Sequence, residues 1–251
     1  MNLPTIGHSF EVFDSIDSTN MYAMQCIREG MAVHGAVYFA HEQTQGRGQW
    51  GKKWWSEPGE NIQMTMVLQP LQLAPSQYFR LSAAIAAGVH DFLHHHAAGG
   101  WNIKWPNDLY WGDRKAGGIL IENVVQQNQW RWAIAGVGVN VNSTQFDPML
   151  PNPTSLSLVA GRRFNAELLG RSLCVFVNKR WLQLMQPGGW PEILADYNRV
   201  LFGAGSLQKL RRQNSAAHYR IMGVDEQGQL LAGENGEYHF QHGEVEWLLG
   251  D

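Results

Sequence analysis

The chain has 251 residues, 44% of them hydrophobic, and a formal net charge of −3. That length supports one principal domain with a small appendage, and the near-neutral charge excludes the general attraction to nucleic acid or anionic membrane that a basic protein shows. No cationic start leads into an apolar run, and no apolar stretch approaches the ~20 residues that span a bilayer, so the expectation is a cytoplasmic protein without a membrane partner.

Residues 10–16 read as a strand, and Asp17-Ser18-Thr19-Asn20 supplies helix-capping side chains ahead of residues 21–28, which Gly30 closes. Residues 36–40 form a second strand that leads towards the loop Gly46-Arg47-Gly48-Gln49-Trp50-Gly51-Lys52-Lys53-Trp54. Residues 61–68 alternate polar and apolar as a half-buried strand does. Leu81, Ile85, Val89 and Phe92 recur at helical spacing and define a helix face that packs on the sheet. His94, His95 and His96 stand at its frayed, solvated end, since consecutive helical residues point in different directions and make a poor metal site.

Three more strands are predicted over 101–105, 117–124 and 130–141, with a tight turn at Trp111-Gly112-Asp113-Arg114, which makes the sheet largely antiparallel. A helix over 166–185 buries Leu169, Leu173, Phe176, Val177, Trp181 and Leu184 and ends at Pro187-Gly188-Gly189, before a short helix over 191–201. Cys26 and Cys174 lie inside predicted helices without CxxC spacing, so neither a zinc site nor a disulfide is expected. From Gly205 onward, short alternating strands broken at Glu226-Gln227-Gly228 and Gly233-Glu234-Asn235-Gly236 predict a small β-barrel or β-sandwich.

Gly46-x-Gly48-x-x-Gly51 satisfies the letter of the dinucleotide-binding fingerprint and fails its context, because no helical period follows Gly51. The glycines with Arg47, Lys52 and Lys53 instead describe a mobile loop whose amides and cations can surround phosphate once a ligand orders it; by itself the loop equally fits a solvated hairpin. In Lys104-Trp105-Pro106-Asn107-Asp108 the proline fixes the direction in which the chain leaves its strand. Lys115 then precedes Ala116-Gly117-Gly118-Ile119-Leu120-Ile121-Glu122, which puts a cation at the mouth of a glycine-opened strand that a ligand can approach closely.

Together these motifs resemble the signature of the biotin protein ligases, with the likeness running from Asp14 to Trp247. The resemblance implies an α+β fold: a mixed, largely antiparallel sheet packed with helices, of the class II synthetase-like type, and a small C-terminal SH3-like β-barrel. It divides the chain into a catalytic biotin- and ATP-binding domain, 1–203, and a β-domain, 204–251. The implied reaction activates biotin with ATP and Mg2+ to biotinyl-5'-AMP, releases pyrophosphate, and transfers biotin to a lysine of a biotin carboxyl carrier protein domain of a biotin-dependent carboxylase. Because a carboxylate and a triphosphate repel one another, fixed cations are the physical remedy, and Arg47 as a planar fork with Lys115 as a point charge can clamp both.

Carried over residue by residue, Ser18, Thr19 and Asn20 resemble the biotin-pocket segment and Gln43 the partner of the ureido ring. Gly46, Arg47 and Gly48 would enclose biotin and its adenylate, Trp54 would stack on adenine, and Asn107 and Asn140 would contact the nucleotide. Lys115 would meet the biotin carboxyl group and the phosphate, Gly118 and Leu120 would offer backbone contacts, and Asp108 would guide the acceptor lysine. Arg47, Lys115 and Asp108 are thus the implied catalytic residues, with no metal ligand assigned. The chain departs from the commonest loop pattern at Gln49, where a second arginine is usual, and at Trp50, which reduces positive charge over the intermediate. It starts almost directly at the catalytic segment, so neither a winged-helix domain nor a DNA partner is expected; a monomer or homodimer is expected. Two rival readings are a ligase for another acid such as lipoate, against which Gln43 and Ser18 count, and a non-catalytic carrier-binding protein, against which the pair Arg47 and Lys115 counts.

Overall fold

Residues 4–249 are described by a computed structural model. β1 (Ser9–Ile16) and β2 (Ala36–Gln43) run parallel, which demands a crossover, and α1 (Thr19–Arg28) supplies it. The remaining strand-to-strand ladders of this sheet are antiparallel: β3 (Ile62–Leu68), β4 (Trp101–Lys104), β5 (Asp108–Trp111), β6 (Arg114–Gln126) and β7 (Gln129–Val139) complete a seven-stranded sheet in the order β1-β2-β3-β7-β6-β5-β4. The sheet is largely antiparallel, as the sequence predicts. β5 is an addition: Lys104 and Asp108 face each other across a hairpin whose turn is Trp105-Pro106-Asn107.

One face of the sheet carries α2 (Tyr78–His96), α4 (Ala166–Leu184) and α5 (Gly189–Arg199). Ile62, Met64, Met66 and Leu68 of β3 share a core with the predicted stripes Leu81, Ile85, Val89, Phe92 and Leu169, Leu173, Val177, Trp181. Burial of each such side chain contributes roughly 1.5–3 kcal/mol. α2 approaches α4 at Gly88, where a Cβ would lie 2.8 Å from the Cα of Val177. Phe176 is only partly buried. Gly188, at φ 81°, caps the start of α5, so the Pro-Gly-Gly segment ends one helix and opens the next. The sequence reading lacks α3 (Leu156–Ala160), a single turn capped by the Ser155 hydroxyl. His94 and His95 are exposed as predicted, but His96 turns inward against Phe92 and Phe164 and is only partly exposed.

After α5 a second antiparallel sheet forms from β8 (Leu207–Arg212), β9 (Ser215–Val224), β10 (Leu230–Ala232), β11 (Tyr238–Phe240) and β12 (Glu246–Trp247), in the order β11-β10-β9-β8-β12. Its Leu210, Ile221, Val224, Leu230 and Phe240 join the main core. Polar clasps fix the junction: Asn198 accepts from the Val224 amide at 2.7 Å and donates to its carbonyl at 2.9 Å, and the Trp105 indole donates to the Gly228 carbonyl at 3.0 Å. Among the described residues no helix is long and apolar enough to cross a membrane.

The opposite face of the main sheet is apolar only where α1 covers it, through Ala23, Cys26, Tyr38, Val67 and Ile134. Further along the same face the chain is polar yet still covered. Asn61 is 1%, Gln63 1% and Thr65 0% exposed, so β3 is buried on both faces rather than half-buried. A polar stripe hidden from water needs partners on the protein, and those partners define the site.

Candidate active site

Strand register writes the floor of the site. Gln63 of β3 pairs with Gly138 of β7, which pairs with Gly118 of β6; one row along, Thr65 pairs with Gly136, which pairs with Leu120. The three glycines leave gaps in a strand surface that side chains would otherwise fill, and a different group enters each. A Cβ on Gly136 would stand 2.5 Å from Asn20 Oδ1; on Gly138, 2.6 Å from the Trp54 ring; on Gly118, 3.0 Å from Asp108 Oδ1 and 3.5 Å from Lys115 Nζ.

Asp17-Ser18-Thr19-Asn20 does not cap α1 as expected. Ser18 holds the N-cap position with extended backbone but makes no side-chain cap bond, and Asp17 accepts from the Thr44 hydroxyl at 2.8 Å. Thr19 and Asn20 turn instead to the polar stripe. Gln43 Oε1 accepts from the Thr19 amide at 2.8 Å and from its hydroxyl at 3.1 Å, and Gln43 Nε2 donates to Gln63 Oε1 at 3.2 Å. The Thr65 hydroxyl donates to Asn20 Oδ1 at 2.6 Å and lies 2.7 Å from the Thr19 hydroxyl. Asn20 Nδ2 donates to Glu122 Oε2 at 2.8 Å, and Glu122 Oε1 lies 3.5 Å from Arg47 Nη1. One hydrogen-bonded chain therefore runs from Gln63 to the loop cation.

The loop folds back on itself. The Trp54 amide donates to the Gly46 carbonyl at 3.0 Å, the Gly48 amide to the Lys52 carbonyl at 2.7 Å, and a single 3-10 turn spans Gln49–Gly51 at the tip. Gly46 is required there because a Cβ would meet the Trp54 carbonyl oxygen. Across the site, Lys115 is held on both sides of its backbone: its amide donates to Asn152 O at 2.7 Å and its carbonyl accepts from the Thr154 amide at 2.9 Å. Its Nζ pairs with Asp108 Oδ1 at 2.7 Å. Beneath them Lys104 lies over the rings of Tyr110 and Trp247. Burial, reinforced by Lys115 and Lys52 and opposed by Asp108 and Glu246, brings its ammonium down to about 8.

The model of the biotin/lipoate A/B protein ligase family matches residues 12–140, half of the chain. The chain belongs to that family. Among curated relatives, the bifunctional ligase/repressor of Bacillus subtilis is 29% identical over 237 residues, 92% of this chain and 71% of its own. The biotin–[acetyl-CoA-carboxylase] ligase of Paracoccus denitrificans is 28% identical over 223 residues, 86% of this chain and 90% of its own. In fold, the ligase is similar to the biotin protein ligase of Aquifex aeolicus solved with biotin and ATP, at TM-score 0.81 and 21% identity over 96% of this chain and 99% of that one.

Within this ligase the structure brings Thr19, Asn20, Gln43, Arg47, Trp54, Asp108, Lys115, Gly118 and Leu120 around one stretch of β3, β7 and β6. Ser18 is 2% exposed at the head of α1. Asn107 and Asn140 both spend their amides on backbone: Asn107 donates to the Ile119 carbonyl and Asn140 to the Thr154 carbonyl at 3.0 Å. The Trp54 indole N–H is buried without a partner among the described residues, so a ligand acceptor placed beside it would gain a desolvated donor. Sequence reasoning overlooked Gln63, Thr65, Glu122, Gly136 and Gly138 as parts of the site. The alternating Gly136-x-Gly138 within β7 is the signal that identifies its open face.

Proposed function

We propose that these residues carry out ATP-dependent ligation of biotin to protein. The observation that supports this best is the convergence of Asn20, Trp54 and the Lys115–Asp108 pair on three glycines of the sheet, with Arg47 facing Glu122 on the same strand, β6, as Gly118. The Thr19, Asn20 and Gln43 end offers donors and acceptors to the ureido ring, with Ser18 beside them, while Gly118 and Leu120 offer backbone and the two cations await the carboxylate. That polarity favours biotin over lipoate, whose dithiolane has no hydrogen-bonding heteroatoms comparable to a ureido group.

In the first step a biotin carboxylate oxygen attacks the α-phosphorus of ATP, the bond to pyrophosphate breaks, and Arg47 and Lys115 neutralise the charge that spreads over the phosphate oxygens. Trp54 supplies a ring face for adenine. Mg2+ would enter with the outer phosphates: among the described residues no group of three or more His, Cys, Asp and Glu could hold a metal ion, and magnesium is commonly carried by phosphates and water. In the second step the acceptor lysine of a biotin carboxyl carrier protein domain attacks the acyl carbon, AMP leaves, and Asp108 receives or directs the amine proton. Lys115→Ala should lower transfer to carrier by about a hundredfold or more, measured as biotin incorporated per minute. Unchanged turnover would remove Lys115 from the mechanism.

A further inference from the structure

A carboxylate has the wrong charge for a site that must admit an acid and a triphosphate, yet Glu122 stands in this one with both oxygens engaged. It lies two residues beyond Leu120 on the same face of β6, paired with Ile134 of β7. Oε2 accepts from Asn20 Nδ2 at 2.8 Å. Asn20 in turn receives the Thr65 hydroxyl at 2.6 Å and fills the gap over Gly136, so its orientation is defined from three sides. Oε1 faces Arg47 Nη1 at 3.5 Å, and the Arg47 side chain is 53% exposed.

We propose that Glu122 is a positioning residue that couples the Asn20 end of the pocket to the Arg47 loop. One oxygen aims the Asn20 amide, and the other holds the guanidinium over the site until an anionic ligand takes it. The ligand named here, biotin, rests on the proposed function; the two contacts do not. Glu122 touches no reacting atom and acts through its two partners. The carboxylate is compatible with anionic substrates because its charge is already matched by Arg47 in the empty site and is partly spent on Asn20 when Arg47 moves.

The test uses the full chain as wild type, E122Q, E122A, R47A and the E122Q/R47A double variant. Two readouts are compared: tryptic cleavage after Lys52 and Lys53 with and without biotin, and KM for biotin against kcat in biotin-dependent pyrophosphate exchange. E122Q keeps an oxygen for Asn20 and loses the charge, so cleavage without biotin should accelerate about two- to fivefold, the range of an exposed ion pair. In the R47A background the same substitution should leave cleavage unchanged. E122A removes both contacts and should raise KM for biotin about tenfold with a smaller change in kcat. A purely structural glutamate would instead lower the melting temperature without splitting KM from kcat, and would act equally in the R47A background. E122Q cleaved at the wild-type rate, or E122A with wild-type KM, overturns the proposal. Should E122A not fold, E122Q and the double variant decide alone. A wild type that makes no biotinyl adenylate sinks the proposed function, while the cleavage comparison still decides whether Glu122 holds Arg47.

Discussion

Gly136 shows how strictly a single residue shapes this site. Any Cβ there would sit 2.5 Å from Asn20 Oδ1, with β6 and β3 on either side, so the asparagine rather than the strand must give way. Gly136→Ala should therefore displace the Asn20 amide from Glu122 and Thr65, at a cost in the range of about 1–3 kcal/mol for overpacking. The expected outcome is a rise in KM for biotin of tenfold or so in a chain that still folds. A biotin titration read beside thermal melting checks it, and an unchanged KM would mean that Asn20 does not contact the ligand. The same logic explains why these residues escaped local reading. Thr65 lies 45 residues from Asn20, and Glu122 lies 102; no window of sequence contains both members of either pair.

At the scale of elements, the strands and long helices were legible because period 2 and period 3.6 are set by geometry and survive any tertiary context. What periodicity cannot tell is what lies over the polar face. β3 alternates as a half-buried strand does, yet its polar side meets Gln43, Thr19 and Asn20 rather than water. Ser18, Thr19 and Asn20 read as caps because capping and ligand-binding both select short hydrogen-bonding side chains at a helix start. β5 was missed because four residues after a proline carry too little pattern to distinguish a strand from a loop. The glycine-arginine loop was recognised from its residues, whereas its closure depends on Trp54 entering the gap at Gly138. Gln49 lies on the 3-10 turn at the loop tip, where the resemblance read from the sequence implies a second arginine. Gln49→Arg should slow escape of the adenylate by about tenfold, the worth of one charge-assisted hydrogen bond. A trapping assay for released adenylate measures this, and an equal release rate would refute a charge deficit at that position.

For the molecule as a whole, stability should depend on pH through His34. Its side chain is buried, with Nδ1 accepting from the Gln69 amide at 2.9 Å, Nε2 without a partner among the described residues, and the ring against Trp181. Burial, with a smaller contribution from His8, lowers its pKa from 6.5 to about 4. The unfolded chain therefore takes up the proton first. Stability should be full above pH 6.5, fall as pH drops towards 4, and level off below, with a total loss of about 3 kcal/mol from this group. Urea midpoints at pH 7 and pH 5 for wild type and His34→Gln test this; the variant should lose less on acidification, and parallel losses would assign the effect elsewhere. The two sheets share one core and clasp each other at Asn198 and Trp105, so Lys104 and Trp247, from different sheets, are held at one edge of the site.

The most direct measurement is incubation of the purified chain with ATP, Mg2+ and either biotin or lipoate, with pyrophosphate and acyl-adenylate followed together by mass spectrometry. Biotin should yield stoichiometric pyrophosphate and biotinyl-5'-AMP, and lipoate neither product. Lipoyl adenylate, or no adenylate with either acid, would contradict the proposed biotin ligation.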